Sequence, residues 1–207
     1  MVAVIDYDAG NIKSVLKAFR YLGQDVELTR DPEIIRKADH VVLPGVGAFG
    51  DAMKRLADYD LVDVIREVAN DGTPFLGICL GLQLLFDSSE ESPGAVGLGI
   101  LKGTNVRFTE VPGYKIPQIG WNSLHLQNNG RLFEGIEDGA FVYFVHSFYA
   151  VAENEEVVKA TCTYTDVATA SVEMRNIFAC QFHPEKSGNV GLQILRNFLN
   201  TDRRDFV

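Results

Sequence analysis

The sequence predicts a three-layer α/β domain on a mostly parallel central sheet, with an antiparallel β elaboration in its second half. Three observations carry this expectation. Short apolar runs such as Val2–Ile5 and His40–Leu43 alternate with amphipathic segments in the first part of the chain, the pattern of strands covered on both faces by helices. After about Gly94 the apolar residues fall into shorter stretches, broken by Pro112-Gly113 and Asn128-Asn129-Gly130, which reads as antiparallel sheet. No Pro/Ser-rich linker divides the 207 residues, so a single domain spanning 1–207 is expected.

The elements follow in order. Val2–Ile5 is a buried first strand, and residues 7–10 form a loop. Ile12, Val15, Leu16, Phe19 and Leu22 share one helical face that stops at Gly23. Val26 and Leu28 mark a second strand, and Asp31-Pro32 supplies a cap and a first-turn proline for the next helix. His40–Leu43 is a third strand stopped by Pro44-Gly45, residues 48–57 and 61–70 read as helices, and 74–78 as a fourth strand. In the second half, 141–145, 157–163 and 168–174 suggest further strands, and 174–177 a tight turn. A last strand over 177–182 leads through His183-Pro184-Glu185 to a closing helix carrying Val190, Ile194, Leu195, Phe198 and Leu199.

Composition narrows the function classes. Apolar residues make up 46% and charged residues 23%, enough to build a packed core without long disorder. With 19 basic and 28 acidic residues the net charge is −9, a surface that repels phosphate backbones and anionic lipid, so no nucleic-acid or membrane partner is expected. Three cysteines argue against a disulfide framework and for a reducing, cytoplasmic setting. Residues 1–6 show no basic leader pattern, and no apolar run approaches the roughly 20 residues of a membrane span.

The sharpest local signal is Gly77-Ile78-Cys79-Leu80-Gly81-Leu82-Gln83. A strand ends at Ile78, a helix begins after Cys79, and glycines stand two positions on either side of the thiol, the layout of a nucleophile elbow with cysteine in place of serine. The glycines leave room for a sharp turn. The helix start favours thiolate and directs backbone N–H groups, Leu80 first, to where an oxyanion would form. The bland alternative, a structural cysteine, fits Cys162 and Cys180 better, since both lie in strand-like runs. Of the four histidines, His40 reads as satisfied or exposed, His125 as solvent-facing and His146 as lining a site. His183 has the best context for a base: a strand ends there, and Pro184 holds the chain so that Glu185 can orient the imidazole. The run Leu43-Pro44-Gly45-Val46-Gly47 lacks the lysine and hydroxyl of a phosphate loop and reads as a second oxyanion strand. No cysteine or histidine spacing suits a metal site, and Gly94, Gly97 and Gly99 lack the context of a dinucleotide loop, so no metal or cofactor is expected.

Taken with Gln181-Phe182-His183-Pro184-Glu185, the elbow resembles the class I glutamine amidotransferase family. The resemblance runs from about Asp6 to the closing helix. Gly120-Trp121-Asn122, Tyr143-Phe144-Val145-His146-Ser147 and Lys186-Ser187 narrow it to the branch of glutaminase subunits that serve imidazole glycerol phosphate synthases. It implies a flavodoxin-like fold, Cys79 as nucleophile, His183 as acid and base, and Glu185 as the orienting carboxylate. By the same resemblance, N–H groups at Leu80, Val46 and Gly47 would hold the oxyanion. Gln83, Glu91 and Gly45, with backbone at His146, Ser147 and Phe148, would bind L-glutamine. Ammonia would pass to a (β/α)8-barrel cyclase partner in a heterodimer, with Asn11, Trp121 and Lys186 at or near the interface. Asp8, Gln118 and the glycine-free stretch 165–175 depart from the pattern. Another class I amidotransferase subunit, a γ-glutamyl peptidase, or an idle binding module on the same scaffold are the competing readings.

Overall fold

Buried apolar runs alternate with one-sided helices in the computed structural model, which describes residues 1–206. The first part of the chain forms β1 (Val2–Ile5), α1 (Ile12–Tyr21), β2 (Val26–Thr29), α2 (Pro32–Lys37), β3 (His40–Leu43), α3 (Phe49–Asp58), α4 (Leu61–Asn70), β4 (Phe75–Ile78) and α5 (Leu80–Leu84). Then come β5 (Ser88–Ser89), β6 (Gly103–Arg107), β7 (Gln118–Ser123), β8 (His125–Leu126), β9 (Phe141–His146) and β10 (Phe148–Ala152). The chain closes with β11 (Val158–Thr163), β12 (Val167–Met174), β13 (Ile177–Cys180) and α6 (Gly188–Leu199).

Local chemistry explains the boundaries. Helix α1 buries Ile12, Val15, Leu16, Ala18 and Phe19 on one face. Asp31 caps α2 by accepting the Glu33 N–H at 2.9 Å, with Pro32 in the first turn. At the β12–β13 turn Arg175 takes the left-handed conformation, φ 55°, that glycine usually supplies. Two expectations need adjustment: the last strand ends at Cys180, not 182, and the helix after Cys79 is only five residues long. A helix this short lends the thiol little of the field that a longer one would supply.

Eight strands form the central sheet in the order β2-β1-β3-β4-β13-β12-β11-β8. The first five run parallel, and β12, β11 and β8 continue antiparallel. Smaller sheets, β10-β6-β5 and β7-β9, stand beside it. Every residue of β1, β4 and β13 is buried, as sandwiched parallel strands require. Under α6, Phe178 packs edge-on against Phe198 with ring centroids 6.0 Å apart. Truncating such a core phenylalanine to alanine typically costs about 3–5 kcal/mol. Strands β4 and β13 pair in register, with Cys180 opposite Ile78, so their carboxyl ends finish level. Cys79 and the segment 181–185 thus leave the sheet side by side, at the edge where α/β sites form.

Candidate active site

Cys79 follows β4 directly and adopts φ 56°, ψ −106°. Such a conformation costs a non-glycine residue about 1–3 kcal/mol and survives only where the surroundings enforce it. The enforcement is visible. The Cys79 N–H donates to the Cys180 carbonyl at 2.8 Å. A Cβ at Gly77 would lie 2.8 Å from the Gly81 carbonyl oxygen, and one at Gly81 would collide with the Leu43 carbonyl, so both flanking glycines are required. Cys79 is 6% exposed. Its thiol donates to the Val145 carbonyl at 3.8 Å and accepts from Gln181 Nε2 at 3.6 Å.

His183 sits just past the end of the neighbouring strand. Its N–H donates to the Tyr143 carbonyl at 2.9 Å, and the Ser187 hydroxyl donates to its carbonyl at 2.7 Å. Pro184 opens a tight turn over Pro184–Lys186 that returns Glu185 to the imidazole. His183 Nδ1 lies 2.8 Å from Glu185 Oε1, both side chains being almost fully buried. Facing a carboxylate, Nδ1 carries the proton and leaves Nε2 for the sulfur. Burial alone would lower this imidazole's pKa. Hydrogen bonds to Cys79 and Glu185 outweigh it and push the value up to about 9.

The N–H groups expected to form an oxyanion hole are in a different state. Leu80 N–H, expected to face the substrate, donates instead to the Gly45 carbonyl, across a long 3.4 Å. Gly45 is packed there: a Cβ would collide with the Tyr7 hydroxyl and lie 3.0 Å from Leu80 Cβ. The Tyr7 hydroxyl donates to the Pro44 carbonyl at 2.8 Å, and burial, followed by the charge of Cys79, raises its pKa so that it stays a donor. Val46 and Gly47 are exposed on the cavity rim.

A cavity of about 320 Å³ opens over Cys79. Its walls include Val46, Gly47, Cys79, Leu80 and His183, the glutamine-binding candidates Gln83, Glu91, His146, Ser147 and Phe148, and the interface candidates Asn11 and Lys186. Glu185 and Gly45 stand behind the wall, and Trp121 lies outside it. Gln83 Nε2 donates to the Phe148 carbonyl at 2.9 Å and to Gln181 Oε1 at 3.0 Å. Glu91 Oε2 accepts the Phe49 N–H at 2.7 Å, so this carboxylate also caps α3. His146 Nδ1 pairs with the Phe148 carbonyl at 2.8 Å, its Nε2 is buried without a partner, and burial pushes its pKa down to about 4. It is a neutral wall, not a second acid.

Trp121 is 57% exposed on β7 and meets Tyr143 edge-on, and the Lys186 ammonium lies 5.9 Å above the same ring. His40 is satisfied by the Thr201 carbonyl at 3.0 Å, His125 is exposed, and Cys162 and Cys180 are fully buried. Sequence reasoning missed the Val145 carbonyl, which no side chain announces. It also missed the contacts of Gln181 and Tyr7, although Gln181 stands two positions before His183, where an extended chain presents both to one side.

Residues 3–201 match the family described as glutamine amidotransferase class-I. The chain is 50% identical over 203 residues to imidazole glycerol phosphate synthase subunit HisH of Methanothermobacter thermautotrophicus, covering 98% of this chain and 100% of that one. Identity to the protein of the same name from Moorella thermoacetica is 50% over 197 residues, covering 95% and 93%. Among solved structures, a glutamine amidotransferase superposes with TM-score 0.74 at 21% identity, over 96% of this chain and 97% of the other. PurLQS from Thermotoga maritima gives TM-score 0.74 at 22% identity, over the same shares. Those two establish the fold alone. On the family match and the near full-length relatives, this chain belongs to the class I glutamine amidotransferases.

Proposed function

We propose that the chain is the glutaminase subunit of an imidazole glycerol phosphate synthase. It hydrolyses L-glutamine and passes ammonia to a (β/α)8-barrel cyclase subunit in a heterodimer of histidine biosynthesis. The observation that carries the catalytic reading is the buried His183, paired with Glu185 at 2.8 Å and lining the same cavity as Cys79. The assignment to this synthase rests on the relatives of that name.

In this reading the Cys79 thiolate attacks the side-chain amide carbon of glutamine. The His183 imidazolium gives its proton to the departing nitrogen, the C–N bond breaks, and ammonia leaves a γ-glutamyl thioester. Neutral His183 then takes a proton from water, hydroxide displaces sulfur, and glutamate departs. Each tetrahedral intermediate needs N–H donors, and the Gly45 carbonyl now occupies the one at Leu80. Rotating the Gly45–Val46 peptide withdraws that carbonyl and turns the Val46 N–H toward the same space, so substrate or partner would complete the hole. Gln83 and Glu91, with backbone at 146–148, would hold the amino-acid end of the substrate. Ile119, Trp121 and Phe141 are each more than half exposed on the β7-β9 sheet, an apolar patch suited to the cyclase, with Asn11 and Lys186 beside the cavity mouth. No helix among the described residues is long and apolar enough to cross a membrane. A biosynthetic role implies a cytoplasmic setting.

The test is co-purification with a cyclase of this class and assay of glutamate release with and without the cyclase's nucleotide ligand. Turnover should rise with ligand, and Cys79→Ala should lose it by at least about 10³-fold. A Cys79→Ala complex that hydrolyses glutamine at the parent rate overturns the catalytic assignment, and a parent chain that binds no cyclase overturns the partner.

A further inference from the structure

Gln181 has no role in the chemistry above, yet it is fully buried just past β13 and touches the nucleophile. Its Nε2 donates to Cys79 Sγ at 3.6 Å, and its Oε1 accepts from Gln83 Nε2 at 3.0 Å. The other Gln83 amide hydrogen goes to the Phe148 carbonyl at 2.9 Å, which also accepts from His146 Nδ1 at 2.8 Å. The polarity of this relay is not arbitrary. A backbone carbonyl can only accept, so Gln83 must present its amino group to Phe148. That amino group in turn requires an acceptor from Gln181, and only Oε1 serves. The Gln181 amino group is left facing sulfur. Flipping either amide would set donor against donor, or acceptor against the Phe148 carbonyl.

We propose that Gln181 is a positioning residue for the nucleophile: its amide holds the Cys79 sulfur in place beside His183 and stabilises the thiolate, with its orientation imposed by Gln83. The inference rests on the reading of Cys79 as the nucleophile. The two neutral partners of the sulfur respond oppositely to ionisation. The Val145 carbonyl accepts a hydrogen bond only from the thiol, and once the proton is gone it faces a negative sulfur. The Gln181 N–H then becomes a charge-assisted donor, roughly twice as strong as a neutral one. A buried thiolate without such a donor would pay the full desolvation cost of its charge. The same relay ties the nucleophile to Gln83, the side chain proposed to meet the substrate.

Cys162 and Cys180 are wholly buried, so alkylation of the full-length chain by iodoacetamide reads Cys79, checked by peptide mass spectrometry. The alkylation rate is measured against pH for the parent and for Gln181→Met, which keeps the volume and removes the N–H donor. The midpoint should rise by about one pH unit and labelling at pH 7 should slow about tenfold, the scale of one charge-assisted hydrogen bond. Gln181→Glu, which turns an acceptor and a charge toward sulfur, should shift it further. A merely structural glutamine would lower Tm and leave the midpoint where it was, and an unchanged midpoint in Gln181→Met overturns the proposal. Should that variant not fold, Gln83→Met removes the group that orients Gln181 and must raise the midpoint by a smaller amount. No shift there overturns it equally. A parent chain whose Cys79 resists alkylation at every pH refutes the nucleophile itself, an outcome distinct from a labelled parent with unmoved variants.

Discussion

Cys79 and His183 border the same cavity as Val46 and Gly47 but are held by different means. Cys79 and His183 leave adjacent parallel strands whose residues are all buried and paired in register, and the Glu185 side chain is 1% exposed behind them. Residues 44–47 lie on the loop between β3 and α3, where Val46 is 38% exposed. The Tyr7 hydroxyl on Pro44 and the 3.4 Å contact between Leu80 and Gly45 tie that loop to the site. The difference teaches where control resides. In the proposed mechanism the reacting groups are built into a core that a small signal cannot rearrange, whereas one peptide of a surface loop would decide whether developing negative charge finds a donor. On that reading the site would keep its nucleophile ready and its turnover low until something turns the loop.

The largest effect short of removing the thiol is expected on the rigid side. Glu185→Gln keeps the shape of the triad and removes the charge that holds the imidazolium. Turnover should fall by about 10²–10⁴-fold. In the parent, a raised pKa means that the imidazolium, and the stability it contributes, is fully present below the ordinary histidine value of about 6.5 and is lost as pH rises through about 9. In Glu185→Gln that loss should begin lower, which NMR titration of the His183 ring would record. A variant ring that still titrates near 9 would mean that the carboxylate is not what holds the proton.

A smaller effect of opposite sign is expected on the loop side. Tyr7→Phe removes the Pro44 anchor and leaves the aromatic packing in place. One lost hydrogen bond, about 1 kcal/mol, should make the loop easier to turn. Basal glutaminase without cyclase should rise about fivefold, and the stimulation by cyclase should shrink by the same factor. Alkylation of Cys79 at pH 7 should be unaltered, because the triad is untouched. If basal turnover falls instead, Tyr7 supports the productive form of the loop and the contrast drawn above is reversed.

That contrast also separates what the sequence discloses from what it does not. The elbow was legible because a strained turn admits so few residues: Gly77 and Gly81 have no room for a Cβ, and that requirement is written in residue types. His183 and Glu185 were legible because proline dictates how the chain folds back. The parallel order of β1, β3 and β4 follows from continuous apolar runs. The state of the proposed oxyanion hole was not legible, since a Leu80 N–H pointing at a Gly45 carbonyl is a contact between backbone groups 35 positions apart that no local residue pattern announces. Glu91 shows a second limit. Its place on the cavity wall was anticipated, but its capping of α3 through Phe49, 42 positions away in sequence, depends on a tertiary approach that no local pattern encodes.

The smallest effect on turnover, and the one that separates wall from machinery, belongs to His146. Burial pushes its pKa down to about 4, so between pH 6.5 and 4 the unfolded chain takes up a proton that the folded chain refuses. Stability should therefore decline as pH falls through that window, by an amount on the order of 1–3 kcal/mol. His146→Gln cannot titrate, and its Tm should vary less with pH over the same range, while glutamine turnover at neutral pH changes less than in Glu185→Gln. The reason lies in the geometry: Nδ1 serves the Phe148 carbonyl, and the uncharged Nε2 has no partner in the buried wall. A neutral-pH rate that collapses as far as that of Glu185→Gln would move His146 from the wall into the catalytic apparatus. It would also require the orphaned Nε2 to meet the reacting atoms, which kinetics with a slowly released leaving amine would expose.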